Sequence, residues 1–232
     1  MNAPRLSTRI KLAAAIVAAA FIASQGPAYS QGGKKEQAPP IGAQGVMSNA
    51  TAKVEGFRSA KFGMTEAEVK NAIAADFDIK GNAVRKQPNA GERTKALVVK
   101  VPDLLPGGGT AEVSYIFGYH TKKLIQVSVS WSKATDEKMT PEQLFSNSSV
   151  LRAHFMSEGF RPETIATNMP ISGGLLMFRG SDAKDHTTML ILQGTFTQGK
   201  HNQRVLTPAS LLLFYVEDAK APDVYRLPPG SF

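Results

Sequence analysis

Apolar and polar positions alternate most cleanly in KLIQVSVSW (123–131), where Ile125, Val127, Val129 and Trp131 interleave with Gln126, Ser128 and Ser130. Successive side chains of a strand point to opposite faces, so this segment predicts an antiparallel strand with one face on a core and one in water. AEVSYIFGY (111–119) repeats the pattern: Val113, Tyr115, Phe117 and Tyr119 share one face, and Glu112 and Ser114 lie opposite. ALVVKV (96–101), GLLMFRG (174–180) and TTMLILQGTF (187–196) predict further strands. SLLLFYVED (210–218) does not alternate, which predicts burial on both faces. PDLLPGGGT, HTKK and SDAKDH supply turns between these runs, and QGKHNQRVLTPA (198–209) reads as a long loop.

Helical spacing appears twice, each time behind a similar hexapeptide. MTEAEV starts at Met64 and MTPEQL at Met139, 75 residues later. In the first, the Thr65 hydroxyl can accept from the Glu68 N–H while the Glu68 carboxylate returns to the Thr65 N–H, and Met64 and Val69 staple the entry. In the second, Thr140 and Gln143 form the same box, Met139 meets Leu144, and Pro141 takes the first helical position, where its missing N–H is harmless. Val69, Ala72, Ile73 and Phe77 then share one helix face, as do Leu144, Leu151 and Phe155. Asn147, Ser148 and Ser149 predict a break in the second helix, because their side chains compete for backbone groups. The order α-β-β-β therefore runs twice, over 54–135 and 136–232. The expected fold class is α+β: two tandem α-β-β-β repeats with the helices packed on antiparallel sheet.

KFGMTEAEV, with Phe62, Gly63, Met64, Thr65 and Val69, resembles the helix-entry motif of the β-lactamase inhibitor protein family. That resemblance implies a tandem of two helix-on-sheet repeats of about this size. Small lipoproteins of the outer-membrane β-barrel assembly machinery are similar to single copies of the unit. The second copy has Asp136, Glu137 and Lys138 before Met139 in place of Phe-Gly, and the family's frequent cysteines are missing from a chain with none. The resemblance further implies an aromatic-rich concave sheet face for gripping an enzyme loop. The alternation instead places Ser114, Gln126, Ser128 and Ser130 outward.

The N-terminus changes the picture of where the fold begins. Arg5, Arg9 and Lys11 precede the uncharged run Leu12–Ala23, and Ala28-Tyr29-Ser30 offers small residues for cleavage before Gln31. Residues 1–30 read as a signal peptide. The apolar run is 12 residues, short of the roughly 20 a spanning helix needs, so no membrane span is expected after cleavage. Residues 31–53, rich in Gly, Pro, Gln and Ala, read as a flexible leader. The expected location is periplasmic or secreted. The formal charge of +8 shrinks once the leader sequences are set aside: from Val54 onward 21 Lys+Arg face 18 Asp+Glu. That is an ordinary surface and excludes a nucleic-acid footprint.

Candidate chemistry is sparse. Asp182, Asp185 and His186 in SDAKDH are too few for a metal site and suit a hairpin loop. PGGGT (106–110) lacks the GK[ST] ending of a phosphate cradle. There is no cysteine nucleophile and no G-x-S-x-G elbow, so no catalytic residue, cofactor or metal is assigned. Lys200, His201 and Arg204 form a small basic spot in the last loop. The expected function is non-catalytic: an exported envelope protein binding another envelope protein, with Ser114, Gln126, Ser128 and Ser130 as the partner-binding residues. A secreted enzyme inhibitor and an uncharacterised hydrolase are the alternatives.

Overall fold

A computed structural model describes residues 51–199, 203–228 and 230–231. The signal-peptide reading and most of the leader, residues 1–50, lie outside the described residues. The elements are β1 (Gly56–Phe57), β2 (Ala60–Lys61), α1 (Glu66–Phe77), β3 (Arg85–Asn89), β4 (Thr94–Val101), β5 (Ala111–Phe117), β6 (Leu124–Ser132), α2 (Pro141–Ser157), β7 (Met169–Ile171), β8 (Gly174–Ser181), β9 (Thr187–Gln198) and β10 (Arg204–Val216). β1 and β2 form a small ribbon, and the other eight strands form one antiparallel sheet in the order β3-β4-β5-β6-β10-β9-β8-β7. The fold is therefore α+β. Among the described residues no helix is long and apolar enough to cross a membrane.

Both helices start where the hexapeptides place them. At α1 the box is complete: Thr65 N–H donates to Glu68 Oε2 at 2.7 Å and Glu68 N–H to Thr65 Oγ1 at 3.3 Å. At α2 only half of it forms. Gln143 N–H reaches Thr140 Oγ1 at 3.1 Å, but the Gln143 side chain donates to Gly107 O at 2.8 Å instead of returning to the cap. The expected break in α2 does not occur. Asn147 turns into the protein and donates to Gly108 O at 2.9 Å, and Ser148 and Ser149 bond back to Phe145 O. The PGGGT loop thus satisfies Asn147, while the two serines are accommodated by bonding back to the helix's own carbonyl.

Four strands, not three, follow each helix. The additions, β3 (RKQPN) and β7 (MPI), are the two edges of the sheet, and each carries a proline, Pro88 and Pro170. Edge strands pair on one side only, so they need neither apolar alternation nor a full set of N–H donors. The last loop is also shorter than expected. β9 and β10 run on past their neighbours, and Thr195–Gln198 pairs with Arg204–Thr207 as a projecting hairpin.

One large core lies between the sheet and the helices. Val127, Val129 and Trp131 of β6, Tyr115 and Phe117 of β5, and Leu211 and Leu213 of β10 meet Val69 and Ile73 of α1 and Leu144 and Phe155 of α2. Thr51 and Ala52, placed with the leader by composition, already donate to Gly159 O, and Ala52 is buried.

Candidate binding face

The face of the sheet away from the helices carries all four residues expected to contact a partner. Cross-strand register aligns them in rows: Ser114 pairs Ser128, Ser130 lies between Glu112 and Leu212, and Gln126 lies between Ile116 and Val216. Their exposure differs from the expectation of a water-facing strip. Ser114 is 4% and Gln126 2% exposed, while Ser128 and Ser130 are half-buried. The cause is that this face is not polar overall. Ala96, Val98, Ile116 and Ile125 form one apolar cluster on it, and Leu176, Met189, Ile191, Phe214 and Val216 form another. Short polar side chains standing between such neighbours are shielded by them.

Ile125 is the clearest correction. It was expected with Val127 on the helix side but sits in the opposite cluster. The pairing of β5 with β6 shifts between Ile116 and Phe117, so Gln126 opposes Ile116, Leu124 opposes Phe117, and Ile125 is the extra residue. A bulge puts two consecutive residues toward the same face, and simple alternation fails at that point. SLLLFYV fulfils its expectation: Leu211 and Leu213 join the large core, Phe214 and Val216 the opposite cluster, and β10 lies between β6 and β9.

After β10 the chain crosses one end of this face as a strap. Val224 packs on the first apolar cluster, Tyr119 N–H donates to Asp223 O at 2.8 Å, and Tyr225 N–H to Glu92 O at 2.9 Å. The Asp223 carboxylate accepts from His120 N–H and from both the N–H and hydroxyl of Thr121. Burial opposes its charge, yet these donors outweigh burial and hold its pKa below the ordinary value. Gly118 leaves room for this contact, because a Cβ there would lie 2.1 Å from Asp223 Oδ2.

Between the strap and the β8–β9 hairpin is a cavity of about 680 Å³. Its floor includes Gln126, Val216, Thr187 and Ser181, which are consecutive across β6, β10, β9 and β8. Ser181 and Thr187 hydroxyls lie 2.9 Å apart and share one hydrogen bond. Gln126 Nε2 has no hydrogen-bond partner among the described residues. Four carboxylates line the cavity. Asp185 pairs with Lys220 and Arg161, which lower its pKa; Asp218 accepts from the Lys220 and Ala221 N–H groups; Asp223 holds the strap. Burial raises the pKa of the fourth, Glu217. The matching cations are Arg161, Arg179, Lys184 and Lys220.

The SDAKDH loop is used structurally. Asp182 accepts from the N–H groups of Val54, Lys184 and His186, and His186 Nδ1 lies 2.7 Å from Val54 O. Of the basic spot in the last loop, Arg204 stacks its guanidinium 4.5 Å from the Phe196 ring centroid; Lys200 and His201 lie outside the described residues. Ser181, Thr187 and the strap were missed as site components. The only sequence signal for the first two was their position at the ends of apolar runs. No protein-family model, curated protein or solved structure matches this chain.

Proposed function

We propose that the chain is an exported, non-catalytic protein of the periplasm or envelope that holds a partner protein on the helix-free face of its sheet. The observation that carries this reading is the one-sided layering: α1 and α2 contribute to one core, and Ser128 and Ser130 lie half-buried on the other side. Export rests on the basic, apolar and small-residue pattern of residues 1–30. Kinship with the β-lactamase inhibitor proteins and duplication of a helix-plus-strands unit belong to the same proposal. They are supported by the 75-residue spacing of the hexapeptides and by a strand order in which β3 to β6 and β7 to β10 run inward from opposite edges. Binding is favoured over hydrolysis because the described histidines have structural contacts: His186 with Val54 O, His120 with the Tyr119 ring, and His154 beside Glu158. An inhibitor's aromatic anchor is poorly served, since Phe214 on this face is 3% exposed.

A photo-crosslinking side chain at Ser128 or Ser130, introduced in intact cells, should give a discrete adduct. Ser130→Arg should abolish capture without unfolding the protein, because Glu112 lies directly opposite and can pair with the new charge. Adducts arising only from a probe at Ser146, on the outer side of α2, would overturn the assignment. Intact mass of the exported protein should correspond to a chain beginning at Gln31.

A further inference from the structure

We propose that the cavity beside Gln126 binds a short, uncharged, extended peptide segment, with the Gln126 side-chain amide pairing to the backbone N–H and C=O of one of its residues. The inference rests on the reading of this face as protein-binding for the source of that segment. Three properties of the cavity select the ligand class. Its volume of about 680 Å³ falls within the range of roughly 300–1,000 Å³ that holds a compact ligand. Among the described residues its lining has four cationic side chains and four carboxylates, so it favours neither a strong anion nor a strong cation. Of its floor groups, Gln126 can donate and accept, while the Ser181 and Thr187 hydroxyls, bonded to each other and to Asp185 O, can only accept, unlike the donor-only surface that a phosphate needs.

Gln126 supplies the specific demand. It is 2% exposed, its Nε2 has no partner among the described residues, and it lines the cavity. A residue in extended backbone turns its own N–H and C=O to the same side, so it matches a side-chain amide whichever way that amide is turned. A sugar is also neutral and hydroxyl-rich. However, among the described residues the lining has no Phe, Tyr or Trp on which its ring could rest, while Ile125, Val216, Ala219, Ala221 and Pro222 suit small aliphatic side chains.

The test is an NMR titration of the full, isotope-labelled chain with a tetrapeptide of alanine and valine, acetylated and amidated so that it carries no charge. Saturable shifts are expected at the Gln126 side-chain amide and at the Thr187 and Val216 backbone amides. Gln126→Leu should weaken binding at least about tenfold. Ala221→Trp, at an exposed position on the rim, should block the cavity and weaken binding similarly without touching the floor. No saturable shift up to about 10 mM peptide would overturn the proposal, as would full binding by either variant. A neutral disaccharide or inorganic phosphate that shifts Gln126 when the peptide does not would overturn the ligand class. Loss of peptide binding with crosslinking retained at Ser130 removes this inference alone; peptide binding without any adduct at Ser128 or Ser130 removes the wider reading of the face.

Discussion

Gln126 places a primary amide where the neighbours across the strands are Ile116 and Val216. A buried polar group without a partner is worth about 1–3 kcal/mol of lost hydration, so its presence in the free protein is destabilising. Gln126→Leu, of similar size, should therefore leave the melting temperature unchanged or raise it. A fall of several degrees would mean that the amide is satisfied in the folded protein. The two threonine caps make the opposite case. Thr65→Ala and Thr140→Ala should each destabilise the fold by about 0.5–2 kcal/mol in urea denaturation. Thr65 should be the costlier of the two, because Glu68 returns its bond while Gln143 is committed to Gly107. Equal losses would show that the reciprocal bond adds little.

At the scale of elements, α1 is tied to β3 and β4 through one carboxylate. Glu66 lies 2.8 Å from Lys95, 2.9 Å from Lys86 and 3.0 Å from Lys70. Hydrogen bonding to Lys95 first, then to Lys86 and Lys70, lowers its pKa from 4.5 to about 2. A carboxylate with a depressed pKa in the folded state stabilises above its unfolded value and loses that contribution as pH falls through the folded one. Stability should therefore decline between pH 4.5 and about 2, and Glu66→Gln should flatten that part of the pH profile. An unchanged profile would place the acid sensitivity elsewhere. The sheet edges carry a separate prediction. Pro88 and Pro170 each remove a backbone donor from an edge strand, which discourages pairing with another sheet. The double change Pro88→Val with Pro170→Val should promote self-association, read as an increased mass by light scattering. A variant remaining at its parent's mass would show that the edges are protected by other means.

For the molecule as a whole, local signals settled as much as they could reach. The caps at Thr65 and Thr140, the helical faces of Val69 to Phe77 and Leu144 to Phe155, and six of the ten strands follow from spacings of two to four residues, because hydrogen bonds and side-chain direction within one element depend on near neighbours. β3 and β7 escaped because an edge strand needs no buried stripe. The candidate residues Ser114, Gln126, Ser128 and Ser130 were correctly assigned to one face, since strand alternation decides that. Whether the face was wet was not a local matter. The β6 bulge turned Ile125 over, the apolar residues of six strands gathered around the serines, and the strap from Glu217 to Tyr225 closed one end. The sequence by itself determined the elements and their faces; the tertiary structure decided their order in the sheet, the second apolar surface and the Gln126 cavity, because each depends on contacts between residues roughly 10 to 130 positions apart, whose pairing energies no local period encodes.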